Sequence, residues 1–395
     1  MHTPKSEPES VLQKTVLAED FSGVIGVYYR DSVLFEGAYG FTQASRQIPN
    51  DVSTCFPLAS VSKLFVKQAI MDLCLRKVFN GKDTLGSFLS GIPGSGSITL
   101  EYLLEHTSGL PDIHNENSVY ARPLLLSRLP GIYCMLDSVR KLMTLRFQPG
   151  SRREYSNTNY LLLSEIIKKQ FDTDLESYLD STLFQKAGMH NTGFYKVYSP
   201  RPGHARGIIR WNHDWIDLPV FDFRYFDGSG NAYSTLHDLR AFGRFLKHNY
   251  PDSICARFVS QSGYYPGIRT FYYWLPEVDA WVIVLSNNGQ SVEALTDQGW
   301  RWILKAHTNA NISGGRLPEP GLYTGKVNGS KISVRIRKHG SIYSLDGVAL
   351  IPLNRDSWLM DGDSRVTLKV LLSGDKATGF RMNDHVLLID FTLEK

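Results

Sequence analysis

The chain has 395 residues, 42% hydrophobic and 12% aromatic, enough apolar material for a buried core and enough length for two or three domains. The formal net charge is +4 with both signs interspersed, so no Lys/Arg run marks a nucleic-acid surface. Cys55, Cys74, Cys134 and Cys255 lack C-x-x-C or His-rich spacing, which argues against a zinc site and a disulfide scaffold; no metal and no cofactor are expected.

The opening M-H-T-P-K-S-E-P-E-S is polar, and no run approaches the 18 or so apolar residues of a membrane span. The expectation is a chain without signal peptide or membrane span. It would be cytoplasmic, or periplasmic or secreted if a leader precedes these residues. Residues 1–15 read as a flexible arm. From Phe21 two β-rich runs, G-V-I-G-V-Y-Y-R and V-L-F-E-G-A-Y-G, flank a polar turn at Asp31–Ser32 and predict a hairpin. Thr42–Val52 reads as a loop.

Next comes F-P-L-A-S-V-S-K-L-F-V-K-Q-A-I-M-D-L over Phe56–Leu73. Leu64, Phe65, Ala69, Ile70 and Leu73 recur near i, i+3, i+4, which predicts a helix starting near Ala59 or Ser60 with one buried face. Ser60 and Lys63 are three apart and share a face near the helix start, where backbone N–H groups are unpaired. A serine becomes a nucleophile when a neighbouring base takes its proton, and a lysine is such a base if burial lowers its pKa. The plain alternative is an N-cap serine beside a solvated lysine.

Further along, Thr99 is a candidate cap for a short helix ended by Gly109 and Pro111, with His106 at its end as a capping or core group rather than a catalyst. Residues 120–145 read as helical. A Pro149-Gly150 turn leads to an amphipathic helix from about Thr158, with Tyr155-Ser156-Asn157 just before it. In that place Ser156 or Asn157 either caps the helix or presents polar groups to a cleft. Residues 174–194 carry another helix, and residues 195–226 are irregular and aromatic. Gly228 opens a turn followed by a helix capped by Ser234 or Thr235. Strands are expected at Ile268–Leu275 and Ala280–Ser286, and a helix around Trp300–Lys305. After a Gly/Pro-rich linker at Asn311–Pro320, short β-like runs recur to the C-terminus and suggest a small all-β, barrel-like domain.

Three polar features stand in order: S-V-S-K at 60–63, Y-S-N at 155–157 and Q-S-G at 261–263. With F-S-G-V-I-G-V, H-T-S-G-L-P, F-Q-P-G, Y-S-N-T-N-Y, G-M-H-N-T-G-F and V-I-V-L-S-N, the stretch from about residue 20 to 305 resembles the serine hydrolases of the penicillin-binding-protein and class C β-lactamase superfamily. The C-terminal stretch resembles the lipocalin-like β-domain appended to some of these enzymes. The resemblance implies an α+β fold, an antiparallel sheet flanked by helices, with a mostly helical subdomain (75–225) inserted into a catalytic domain (16–310) and a β-domain at 316–395. It implies that Ser60 forms an acyl-enzyme, that Lys63 and Tyr155 move its proton, and that Asn157 holds Lys63 and substrate. The backbone N–H groups of Ser60 and Tyr264 would form the oxyanion hole beside Gln261, Ser262 and Gly263. Ser62 is expected to point elsewhere on the helix.

The third motif departs from the family's usual K-T-G or H-x-G: Gln261 stands where a cation is usual, and only Gly263 is kept. The departure tilts the expectation from β-lactam hydrolysis toward an esterase, amidase, D-peptidase-like enzyme or acyltransferase acting on a small-molecule or peptide ester or amide. A low-turnover penicillin-binding sensor, or a biosynthetic acyltransferase or cyclase acting on a peptide or polyketide intermediate, is the alternative. Arg269, Arg152 and Arg153 are candidates to replace the missing charge. The oligomeric state is not legible.

Overall fold

The computed structural model describes residues 7–116, 144–196, 201–308 and 320–393, except residues 213, 219–222, 277 and 291 and short intervals between the C-terminal strands. The helix expected over 120–145 lies almost wholly outside the described residues.

The expected arm is helical from Glu7: α1 spans Glu7–Ala18. Its polar composition hides two apolar anchors one turn apart, Leu12 and Val16, both buried against the sheet. The predicted hairpin follows as β1 (Gly23–Tyr29) and β2 (Ser32–Tyr39). The main helix is α2 (Lys63–Leu75), preceded without a break by a 3-10 helix over Ala59–Ser62, so helical structure starts at Ala59 as expected and becomes α-helical at Lys63. Thr99 caps α3 (Leu100–Leu104) by accepting from Tyr102 N. The amphipathic helix α4 covers Asn157–Phe171, and α5 covers Leu236–Asn249 with Thr235 as its cap. Strands β3 (Ser260–Tyr265), β4 (Ile268–Leu275) and β5 (Ala280–Ser286) precede α6 (Glu293–Thr308). The stretch 195–226, expected to be irregular, contains a short hairpin of Ile208–Trp211 and Asp214–Asp217.

The five strands form one antiparallel sheet in the order β3-β4-β5-β1-β2. Chain-distant β5 and β1 pair at its centre, which brings residues near 23–29 beside residues 280–286. Both central strands are buried throughout, as a sheet covered on two faces requires. The two-residue period divides their side chains. Tyr28, Tyr272, Trp274, Trp281 and Ile283 face the large core with α2 and α5; Ile25, Val27, Tyr273, Val282 and Val284 face α1 and α6.

The α2 helix sits inside the first core. Phe65 packs edge-on against Phe184 and Phe242, at 5.2 and 5.3 Å between ring centroids. Phe65→Ala is expected to cost about 3–5 kcal/mol in a chemical unfolding experiment, since it empties a filled site among three helical segments; a loss under 1 kcal/mol would contradict that packing.

Among the described residues from Gly321 onward, eight strands pair antiparallel in chain order, and the first also pairs with the last through Tyr323 with Leu393 and Thr324 with Thr392.

Candidate active site

Ser60 is presented by a strained turn. The short strand Phe56–Pro57 pairs with Ala232–Ser234, and Leu58 N donates to Ala232 O at 2.8 Å. Ala59 then takes φ +47°, a left-handed conformation that costs a non-glycine residue about 1 kcal/mol or more. The Ser62 hydroxyl holds this turn. It donates to Ala59 O (2.6 Å) and accepts from Ala232 N (3.0 Å), fully buried and turned away from Ser60.

Lys63 lies one turn further, only 1% exposed. Its Nζ reaches three acceptors: Ser60 Oγ (3.1 Å), Asn157 Oδ1 (2.7 Å) and the carbonyl of Ser229. An ammonium can donate to all three. A neutral amine can donate to two and accept the Ser60 proton on its lone pair, so one geometry serves both protonation states. Burial pushes the Lys63 pKa down to about 7, against a smaller upward pull from the Asp112 carboxylate. The site thus holds a lysine that is half neutral near physiological pH, within reach of a serine hydroxyl.

Tyr155 completes the group. Its hydroxyl is 2.8 Å from Ser60 Oγ and 3.4 Å from Asn157 Oδ1. Its ring lies against the His106 imidazole at 4.5 Å between centroids, and Lys63 Nζ sits 5.1 Å from the ring centre. His106 is buried, and burial together with the charges of Arg153 and Lys63 holds its pKa well below the usual range. It is therefore a neutral platform. Its Nδ1 accepts from Ser156 N at 3.2 Å, which fixes the backbone between Tyr155 and Asn157. Ser156 occupies the N-cap position of α4, but its hydroxyl does not cap the helix; it donates to Pro111 O at 3.1 Å, as Thr158 does at 2.8 Å. The Y-S-N segment is thereby stapled to the H-T-S-G-L-P-D segment.

The third wall is the edge strand β3. A Cβ on Gly263 would lie 2.3 Å from Leu58 O and 2.9 Å from Ala59 Cβ, so the absent side chain lets β3 press on the Ser60 turn. Thr270 Oγ1 donates to Leu58 O at 2.7 Å and ties β4 to the same turn. Tyr265 and Ile268 flank the two-residue Pro266-Gly267 turn and so form the hydrogen-bonded pair that closes the hairpin. Alternation then directs the Tyr264 N–H away from β4, outward from the sheet edge. The Tyr264 side chain itself is half exposed. Gln261 shares a strand face with Gly263, and its amide donates to Ser262 O at 2.9 Å; Ser262 is exposed on the other face.

Arg269 pairs with Tyr264 in the register, and so lies on the opposite sheet face from Gly263. Its guanidinium stacks on the Tyr264 ring at 5.0 Å and approaches Glu293 at 3.4 Å. It does not stand in for the missing cation. Arg152 is engaged with Glu154 (3.1 Å) and lies over the Phe147 ring. Arg153 acts on the helical wall, where its charge lowers the pKa of both His106 and Glu105.

Two contributors escaped the sequence reading. Asp112, 5% exposed, accepts from Asn157 Nδ2 at 2.8 Å; it is the residue after H-T-S-G-L-P, and that motif was its available signal. Ser229 contributes a backbone carbonyl that leaves no mark in a sequence. His106, expected as a capping or core group, is a buried core group that serves as a platform. Among the described residues no group of three or more His, Cys, Asp or Glu side chains is placed to hold a metal ion, and no helix is long and apolar enough to cross a membrane.

An antiparallel sheet covered by helices on both faces defines a β-lactamase/transpeptidase-like α+β fold. The sequence model of the family described as Beta-lactamase matches residues 13–253, more than half of the chain, and the chain belongs to that family. Among curated relatives it is 26% identical to penicillin-binding protein 4* of Bacillus subtilis over 72% of this chain and 60% of that protein. It is 27% identical to a D-aminopeptidase of Brucella anthropi over 57% of this chain and 42% of that one. The chain thus spans about half the length of the curated relatives it matches. Its fold follows that of the octameric penicillin-binding protein homologue from Pyrococcus abyssi with a TM-score of 0.61, at 17% identity over 98% of this chain and 99% of that one.

Proposed function

We propose that this chain is a serine hydrolase or acyltransferase that forms an acyl-enzyme on Ser60 from an ester or amide. The observation that carries the reading is the contact of Ser60 Oγ with both Tyr155 OH and the buried Nζ of Lys63, whose pKa lies at about 7. Neutral Lys63 takes the Ser60 proton as Oγ attacks the carbonyl carbon. The backbone N–H groups of Ser60 and Tyr264 receive the developing oxyanion. Tyr155, in contact with Ser60 Oγ, passes a proton from Lys63 to the leaving oxygen or nitrogen as the tetrahedral intermediate collapses. Water, or another acceptor alcohol or amine, then reverses the sequence on the acyl-enzyme.

The relatives named above include a penicillin-binding protein and a D-aminopeptidase, which supports a peptide-like substrate, including one next to a D-configured residue. Gln261 in place of a cation favours substrates without a carboxylate at that position. The same replacement supports a second reading, a site that acylates but turns over slowly. We extend the proposal to the domain plan: a catalytic domain over 16–310 with an inserted subdomain within 75–225, and residues 316–395 as a separate β-barrel-like domain.

A fluorophosphonate and a penicillin, each applied to the wild type and to Ser60→Ala, test the reading. Peptide mapping is expected to place both adducts on Ser60, with no labelling of the variant. Labelling of another residue, or undiminished ester hydrolysis by Ser60→Ala, would overturn it. Multiple turnovers on a p-nitrophenyl ester favour the enzyme; an acyl-enzyme that persists for hours favours the slow sensor.

A further inference from the structure

We propose that Asp112 is a positioning residue for the Lys63 base, acting through Asn157: it selects which end of the Asn157 amide faces the lysine. The inference rests on the acyl-enzyme reading of Ser60 given above.

An asparagine amide has two chemically different ends, an acceptor oxygen and a donor NH2. Here Oδ1 faces Lys63 Nζ at 2.7 Å and Nδ2 faces Asp112 Oδ2 at 2.8 Å. A rotated amide would set NH2 against the lysine's own N–H groups and its oxygen against a carboxylate. A carboxylate can only accept, so Asp112 excludes the rotated state. The carboxylate is itself held: Oδ1 accepts from His114 N at 3.0 Å, and the His114 ring is buried against Phe226 at 4.3 Å. Asp112 therefore needs both of its oxygens, one for each donor, and an amide in its place could satisfy only one.

The groups that face Lys63 are few. Ser60 Oγ and the Ser229 carbonyl contact it directly, the Tyr155 and Tyr160 rings lie 5.1 and 5.7 Å from Nζ, and His106 is kept neutral by burial. That leaves Asp112 as the charged group acting on Lys63 through Asn157. Its negative charge favours the ammonium, so losing it should move the lysine's titration to lower pH. Moving the carboxylate onto position 157, in contact with Nζ, should shift the titration to higher pH.

The test is the pH dependence of fluorophosphonate labelling in the full chain for the wild type, Asp112→Asn and the exchange variant Asp112→Asn/Asn157→Asp. The exchange keeps every hydrogen bond: the introduced amide donates to the introduced carboxylate and accepts from His114 N. Asp112→Asn is expected to slow labelling at neutral pH by about tenfold or more, one lost buried hydrogen bond being worth about that factor. Its acidic limb should move to lower pH, and that of the exchange variant to higher pH. A purely structural role for Asp112 would scale the rate at every pH and leave the limb in place. Limbs that coincide with the wild type in both variants would overturn the inference. Should Asp112→Asn fail to fold, the exchange variant carries the same test by the direction of its limb. Ser60→Ala separates the two readings. If it still labels, the Ser60 reading fails; if it does not label and the limbs stay fixed, only the role of Asp112 fails.

Discussion

Lys63→Met is expected to lower acylation at Ser60 by about 10²–10⁴-fold at neutral pH, the usual range for removing a general base, and to change the pH dependence of folding as well. The methionine keeps the bulk of the stem in a site that is 1% exposed, so packing changes little. In the wild type the lysine's folded pKa of about 7 lies below its reference value of 10.5 because burial penalises the charge. A lysine depressed in this way binds fewer protons folded than unfolded between those two pH values. Wild-type stability therefore rises with pH across that window. The penalty is full below about pH 7 and fades as pH approaches 10.5. At about 1.4 kcal/mol per pKa unit, the variant should gain on the wild type by about 3 kcal/mol when both are compared at about pH 7 rather than about pH 9.5. The absolute difference at either pH also contains the cost of leaving Asn157 Oδ1 and the Ser229 carbonyl without their donor, about 1–3 kcal/mol each. That cost is common to both conditions and cancels in the comparison. Urea unfolding of both proteins at the two pH values measures it. A stability difference that does not vary with pH would show that Lys63 is not depressed, and would remove the neutral base from the mechanism.

Much of this site was legible because the chemistry sits in short, ordered motifs. S-V-S-K and Y-S-N name four of the five polar groups that meet at Ser60 Oγ and Lys63 Nζ, and the period of Leu64, Phe65, Ala69 and Ile70 placed Lys63 on a buried helix. The central strands were legible for a related reason: V-I-G-V-Y-Y and A-W-V-I-V-L-S are continuous apolar runs, as strands covered on both faces must be. What stayed hidden depends on tertiary geometry. The amphipathic character of α1 rests on Leu12 and Val16 alone, too little for the period to show among its Glu, Gln and Lys residues. The 3-10 turn at Ala59 is imposed by Ser62 and the Ala232 backbone, residues far apart in the chain. Arg269 looked like a candidate cation until the β3–β4 register put it on the far face of the sheet. Asp112 and His106 carry no spacing rule that ties them to Lys63; only the stapling of Pro111 to Ser156 and Thr158 brings them there.

Gly263→Ala is expected to damage the candidate site severely. The added Cβ would stand 2.3 Å from Leu58 O, 2.4 Å from Thr270 Oγ1 and 2.9 Å from Ala59 Cβ. None of these can swing aside cheaply. Leu58 O is backbone, and it already accepts from Thr270 Oγ1 at 2.7 Å. Ala59 is locked in its left-handed turn by Ser62. The remaining response is for β3 to move away from the Ser60 turn, and that separates the Tyr264 N–H from the Ser60 N–H. An oxyanion donor displaced by more than about 0.5 Å stops serving the transition state, and the loss of one donor costs about 10²–10³ in kcat. Stability should fall by about 1–3 kcal/mol from the overpacking. Since the damage lies in the transition state, kcat should drop far more than KM changes. Gly96→Ala is the matched comparison, because nothing lies within 4 Å of a Cβ there; it should leave both kcat and the unfolding midpoint close to the wild type. A Gly263→Ala enzyme within threefold of wild-type kcat would mean that the close approach of β3 to the Ser60 turn is not what builds the oxyanion hole.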